Sequence, residues 1–136
     1  MDELKKSTTT ATSGMKVQAQ RLRVISENLA NVDSLPTQPG QEPYRRKTVT
    51  FKTELDRATG TSKVAVDKVR QDKSDFNKKF DPQHPAADKD GYVLAPNVNP
   101  LIEMMDMREA QRSYEANLNV VNVSKAMLSR TVEMLR

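Results

Sequence analysis

Along the last quarter of the chain, apolar positions recur at steps of three and four. Starting at Met107, every seventh residue is large and apolar: Tyr114, Val121, Leu128 and Leu135 follow. Between them in the same stripe lie Ala110, Asn117, Ser124 and Thr131, all small or weakly polar. That alternation predicts the seam of a coiled coil, with knobs in one row and close-approach positions in the other. Asn99 is placed to cap the first free N–H groups, and Pro100 sits where a helix needs no donor. Glu103 and Asp106 complement the positive end of the helix dipole, and Arg130 and Arg136 the negative end. No Gly or Pro interrupts the stretch, so a helix of roughly 36 residues would run about 54 Å at 1.5 Å per residue. A helix of that length is predicted to lie along something. Val120, Met127 and Met134 flank the seam on one side, Leu118 and Val132 on the other, an arc wider than one partner helix requires.

The N-terminal stretch repeats the pattern. Leu4, Thr8, Ala11, Met15, Gln18, Leu22, Ile25, Leu29 and Val32 follow one another at alternating steps of four and three, and only Thr8 and Gln18 are polar. A second helix of similar length is predicted, with a narrow seam suited to pairing with the first. Its opening is a weak helix former: Ser7 to Thr10, then Thr12, Ser13 and Gly14, are β-branched, backbone-competing or flexible. Two alternatives stay open there. Either the segment is helical only when packed, or Gly14 ends a short helix and residues 15–32 form the main one.

Between the helices, Asp33-Ser34, Pro36, Pro39-Gly40 and Pro43 spell a loop. Residues 48–51 alternate as a short strand, 63–69 form a second candidate after a turn near Thr59-Gly60, and Asp90-Gly91 turns into a third at 92–94. Two or three strands are marginal alone, so this insert must lean on the helices. The expected fold is mainly α: an N-terminal coiled-coil helix over 1–33, a loop and small β-rich insert over 34–98, and a C-terminal coiled-coil helix over 99–136. Two helices leave the wide C-terminal arc without a third partner, so other chains are expected to cover it. The residues expected at that assembly interface are Leu22, Ile25, Leu29, Met107, Tyr114, Leu118, Val121, Met127, Leu128, Val132 and Leu135.

Composition narrows the alternatives. Among 136 residues, 36% are hydrophobic and 4% aromatic, which argues against a sizeable central core. The net charge is +4, and most of the surplus lies in the middle, where residues 34–100 hold twelve basic and nine acidic side chains. Arg45-Arg46-Lys47 is its densest run. Acidic residues are interspersed throughout and aromatics are not interleaved with the basic ones, so solvated surface fits better than a nucleic-acid groove. With no cysteine there is no disulfide or thiolate chemistry. No apolar run approaches the ~20 residues that span a bilayer, and no membrane insertion is expected. His84, the only histidine, stands in a Pro-rich loop without a nucleophile or carboxylate at catalytic spacing. Asp88-Lys89-Asp90-Gly91 lacks the downstream Glu of a calcium loop and is better explained as a turn. Met104, Met105, Met107, Met127 and Met134 suit an adaptable contact surface or simple packing. No enzyme, cofactor or metal site is expected.

Ser13-Gly14-Met15 followed by Ser26-Glu27-Asn28-Leu29-Ala30-Asn31-Val32 resembles the N-terminal signature of bacterial flagellar rod and hook proteins. Pro43 to Phe51, Asp90 to Val93 and Asn97 to Asn117 extend the resemblance over nearly the whole chain. The short insert is similar to that of a proximal rod subunit, though the opening Lys5-Lys6-Ser7 is more polar than the family's. The resemblance implies a structural subunit that polymerises into a helical tube, encloses the export channel and transmits motor torque. It implies contacts with other copies, with the sister rod proteins FlgB, FlgF and FlgG, and with the rod-base protein FliE and the MS ring. It further implies passage through the flagellar type III export apparatus without a cleaved signal peptide, and residence in the basal body across the periplasm. Arg45, Arg46 and Lys47 are expected to place the insert against neighbours. A soluble coiled-coil adaptor or secretion-needle-type protein is the alternative, and a nucleic-acid binder fits less well because the C-terminal helix is neutral overall.

Overall fold

A computed structural model describes residues 2–136. Helix α1 spans Asp2–Ala30 and helix α2 spans Pro100–Met134. Between them come strands β1 (Lys47–Asp56), β2 (Thr61–Gln71), β3 (Asn77–Phe80) and β4 (Tyr92–Ala95), forming two two-stranded sheets, β1-β2 and β3-β4. The two long terminal helices are as expected. "Mainly α" understates the rest, because nearly half the chain is helical and about a fifth is strand. The sequence pattern missed β3, whose Asn-Lys-Lys-Phe shows no clear alternation. It is a strand because β4 supplies its partner, in an antiparallel register running from Asn77 opposite Ala95 to Phe80 opposite Tyr92.

Helix α1 passes through Gly14 without a break, which closes the alternative of a short opening helix. Three of the hydroxyls that compete with helix formation are satisfied on the helix itself, and that of Thr10 donates to Ser62 O instead. Thr8 Oγ1 donates to Leu4 O, Thr12 Oγ1 to Thr8 O and Ser13 Oγ to Thr10 O. At the start of α2, Asn99 caps as expected: its Oδ1 accepts from Leu101 N–H at 3.1 Å and its carbonyl from Glu103 N–H at 3.0 Å.

Contacts gather the chain into two compact units. The first comprises α1 up to Leu22, Val49–Lys68 and Arg108–Arg136. Its buried apolar side chains are few: Ala11, Val17, Ala110 and Val121. Along α2 the seam positions Ala110, Tyr114, Asn117, Val121, Ser124, Leu128 and Thr131 are buried or half-buried, and nearly all the residues between them are exposed. Opposite Asn117 stands Gly14, where an added Cβ would lie 2.7 Å from Asn117 Nδ2. A helix face lacking a side chain at that level therefore lets the Asn side chain approach the backbone. Arg21 meets Glu109 at 3.5 Å further along.

The second unit comprises Arg23–Thr48 and Val69–Met107. Ile25, Pro36, Pro43, Ala86, Val93, Pro96 and Val98 fill its core together with two polar residues, Asn28 and Glu103. Phe80 and Tyr92 meet edge to face across the β3-β4 pair, with ring centroids 5.2 Å apart. Gly91 closes this hairpin loop at φ 84°, a left-handed conformation open to glycine at little cost.

Candidate assembly surface

Two features stand apart from ordinary packing: a polar hub inside the second unit and an uncovered apolar surface on α2 in the first.

The hub forms because α1, the segment before β1 and the first turn of α2 each deliver one polar residue to the same buried point. Asn28 is 1% exposed and Glu103 is fully buried. Asn28 Nδ2 donates to Lys47 O at 2.9 Å and reaches Glu103 Oε2 at 3.4 Å. Its Oδ1 accepts from Tyr44 Oη at 2.7 Å and from Lys47 N–H at 2.9 Å. Glu103 Oε1 accepts from Arg46 Nε, and the other guanidinium nitrogens lie 3.4 Å from Asp72 and 3.6 Å from Asp106. Asn97 anchors the same segment, its Oδ1 accepting from Arg46 N–H at 2.7 Å. Arg45 lies over the Phe76 ring at 4.1 Å and donates to Asp72 O at 2.9 Å. Lys47 Nζ pairs with Glu27 at 2.6 Å. The basic run expected as solvated surface is thus drawn inward, because buried Glu103 requires a cation and Arg46 supplies one.

Ionisation follows these contacts. Burial pushes the Tyr44 phenol up to about 12, and the nearby Glu27 and Glu103 carboxylates add to the shift. Burial acts to lower Arg46, but its bonds to Glu103 and Asp72 outweigh it and raise the group above its ordinary value. Ser74 N–H, then the Ser74 hydroxyl and Arg46, hold the Asp72 carboxyl below its usual range. The hub is a structural clamp that joins three chain segments.

The expected interface residues divide between buried and free positions. In the second unit, Ile25 is buried, and Leu29 and Met107 are half-buried. Leu22, Tyr114 and Leu128 are half-buried in the first unit, where Val121 is buried at 9% exposure. Leu118, Met127, Val132 and Leu135 stay 38% to 74% exposed. Val120, Val123 and Met134 are also exposed. A shallow groove of about 370 Å³ runs beside this surface, lined by Leu4, Ser7, Asn119, Val120, Val123, Ser124 and Met127. Val123 was missed as a surface residue, although Val120, Val123, Met127 and Met134 repeat at steps of three, four and seven and could have been found that way. Asn28 and Glu103 were missed as core residues because polarity gives no sign of burial.

Comparison with known proteins assigns the class. Residues 9–34 match the family model for flagella basal body rod protein, and residues 89–134 match the model for the C-terminal part of flagellar basal body rod FlgEFG proteins. The first match lies almost wholly on α1 and the second takes in β4 and all of α2, so both ends of the chain are those of a flagellar rod protein. Similarity to curated proteins narrows it further. The chain is 50% identical over its full length to the flagellar basal-body rod protein FlgC of Agrobacterium fabrum, covering 98% of that protein. It is 39% identical to FlgC of Bacillus subtilis over 90% of this chain and 91% of that one. Against FlgC of Salmonella typhimurium it is 38% identical, with 91% and 92% covered. The chain belongs to the FlgC family of flagellar basal-body rod proteins. It is a structural subunit of the flagellar basal-body rod, not an enzyme.

Proposed function

We propose that the chain builds its section of the rod by pairing the seams of α1 and α2 as a coiled coil and burying the remaining apolar surface of α2 against neighbours. The neighbours are other copies and the sister rod proteins FlgB, FlgF and FlgG, with FliE and the MS ring at the rod base. The assembled part is a helical tube across the periplasm that encloses the export channel and carries torque, and its subunits arrive through the flagellar type III export apparatus without signal cleavage. In this assembly the insert, held by Arg45, Arg46 and Lys47, is presented to adjacent subunits.

The observation that carries this proposal is on α2. Its seam is occupied within the first unit, yet Leu118, Val120, Val123, Met127 and Val132 remain 38% to 57% exposed on the same helix. Full burial of such a side chain is worth roughly 1.5–3 kcal/mol, so covering the half that remains exposed gains about half of that at each position, in every subunit of a repeating tube. The test is Val120→Asp and Met127→Asp, followed for synthesis, secretion and hook formation. Both variants should fold and be exported, and both should leave cells without hooks. Glu115→Lys and Ala126→Asp, at exposed positions on the face turned away from the seam, should swim. Normal swimming by the Val120 and Met127 variants would overturn the proposal.

A further inference from the structure

Strand β1 has one edge paired with β2 and the other facing no strand among the described residues. The far side of β2 is occupied by α1, since Val64 N–H donates to Ser13 Oγ at 3.3 Å and Thr10 Oγ1 to Ser62 O at 3.5 Å. The free edge therefore belongs to β1, which is exposed from Thr50 to Leu55. Phe51 is 40% and Leu55 63% exposed, and no proline or bulge-forming glycine blunts the strand. An open edge of this kind is a template for another strand, and a two-stranded ribbon is marginal until one is added.

The sequence of that edge is complementary to itself. Around Thr53 it reads Phe51-Lys52-Thr53-Glu54-Leu55, an apolar residue and a cation on one side mirrored by an anion and an apolar residue on the other. Laid antiparallel on a second copy with Thr53 opposite Thr53, Lys52 faces Glu54 twice and Phe51 faces Leu55 twice. Moving the axis to Lys52 stacks Lys52 on Lys52, and moving it to Phe51 leaves both charges facing threonines. The backbone has the right parity for the Thr53 register. At the two ends of the strand Asp72 N–H donates to Arg46 O and Gly60 N–H to Asp56 O, both at 2.7 Å, while Lys47 turns its N–H and C=O the other way, to the Asn28 side chain. Even-numbered residues of the strand thus bond toward β2, and Val49, Phe51, Thr53 and Leu55 aim their N–H and C=O groups at the free edge. Thr53 and its copy would then form a hydrogen-bonded pair, with Lys52 and Glu54 in the closer non-hydrogen-bonded pairs where side chains interact best. Lys52 and Glu54 already meet at 2.9 Å within the strand and both remain about half exposed, so each is available to a second partner.

We propose that the free protein self-associates through antiparallel pairing of β1 with β1 of a second copy, centred on Thr53. Such a twofold contact is closed and cannot extend along a filament. On the rod proposal above, it caps the edge of the unassembled subunit and opens when the chain joins a tube whose subunits all point one way. The pairing itself is tested in solution, independently of rod growth.

Sedimentation velocity of the full chain at low salt should show a monomer–dimer equilibrium that shifts with concentration. Lys52→Glu or Glu54→Lys turns two attractive cross-strand pairs into repulsive ones and should weaken the dimer by about tenfold or more. The double variant Lys52→Glu/Glu54→Lys restores opposite charges and should restore the dimer. A protein that stays monomeric up to about 1 mM overturns the proposal, as does a dimer untouched by either single reversal. Because the chain has no cysteine, Thr53→Cys gives a second readout. Paired Cα atoms about 5.5 Å apart suit a disulfide, so this variant should cross-link rapidly under mild oxidation. Thr50→Cys, whose copy lies well displaced along the pair, should not. Equal cross-linking of the two would place the contact elsewhere.

Discussion

Removing Arg46 should be the most damaging single change in the charged part of the chain, and the size of the loss can be argued from the hub. The Glu103 side chain is 1% exposed, and its strong partner is Arg46 Nε. Without the guanidinium, the buried carboxylate keeps only Asn28 Nδ2 at 3.4 Å. Breaking a buried ion pair from one side costs about 3–5 kcal/mol, because the remaining charge has lost its compensation. The Asp72 and Asp106 contacts add little, since those side chains are 28% and 32% exposed and such pairs are worth about 0–1 kcal/mol. Arg46→Met should therefore lower unfolding free energy by about 3–4 kcal/mol. Glu103→Gln keeps the shape and leaves Arg46 with two other carboxylates, so it should cost about 1.5–3 kcal/mol. The double variant Arg46→Met/Glu103→Met should recover most of the loss, because no charge is then left buried. Urea unfolding of the full chain followed by far-UV circular dichroism measures all three. If Arg46→Met costs less than about 1 kcal/mol, in the range of an exposed pair, the clamp is not holding the second unit.

Other consequences follow from single groups. Asp72 has a lowered carboxyl pKa, so its contribution is present above the ordinary 3.8 and lost as pH falls through the lower folded value. Unfolding midpoints measured below pH 4 should fall less steeply in Asp72→Asn. Tyr44 holds its proton to about 12, so the folded state is favoured below pH 10 and loses that advantage as pH rises from 10 toward 12. Phenolate absorbance should show a late-titrating group that disappears in Tyr44→Phe. Gly14→Ala gains about 1 kcal/mol of helix propensity but pushes on Asn117 at 2.7 Å, so it should be near neutral alone and stabilising in an Asn117→Ala background, by thermal melting. Gly91→Ala should cost more than about 1 kcal/mol, because it combines a positive φ with contacts of 3.0 Å to Phe80 and 3.1 Å to Pro82.

Much of the fold was legible as periodicity. The steps of three and four from Met107 to Thr131 and from Leu4 to Val32 marked both helices and the inward side of α2, because a helix can bury only what recurs on one face. Asn99-Pro100, Gly60 and Gly91 marked a cap and two turns, because each has a local backbone requirement visible in residue type alone. The resemblance of Ser26 to Val32 and of Asn97 to Asn117 to flagellar rod proteins carried the function. What the tertiary structure decided was where polarity is hidden. Glu103 read as a helix-dipole partner and Arg46 as solvated charge, yet burial joins them, since residues 57 positions apart meet only when the second unit folds. The same holds for β3, which has no pattern of its own and becomes a strand only beside β4. At Gly14 the sequence allowed a break as the alternative to a continuous helix. Packing against Asn117 chose the helix, because a missing side chain there lets two segments approach more closely than any other residue would allow.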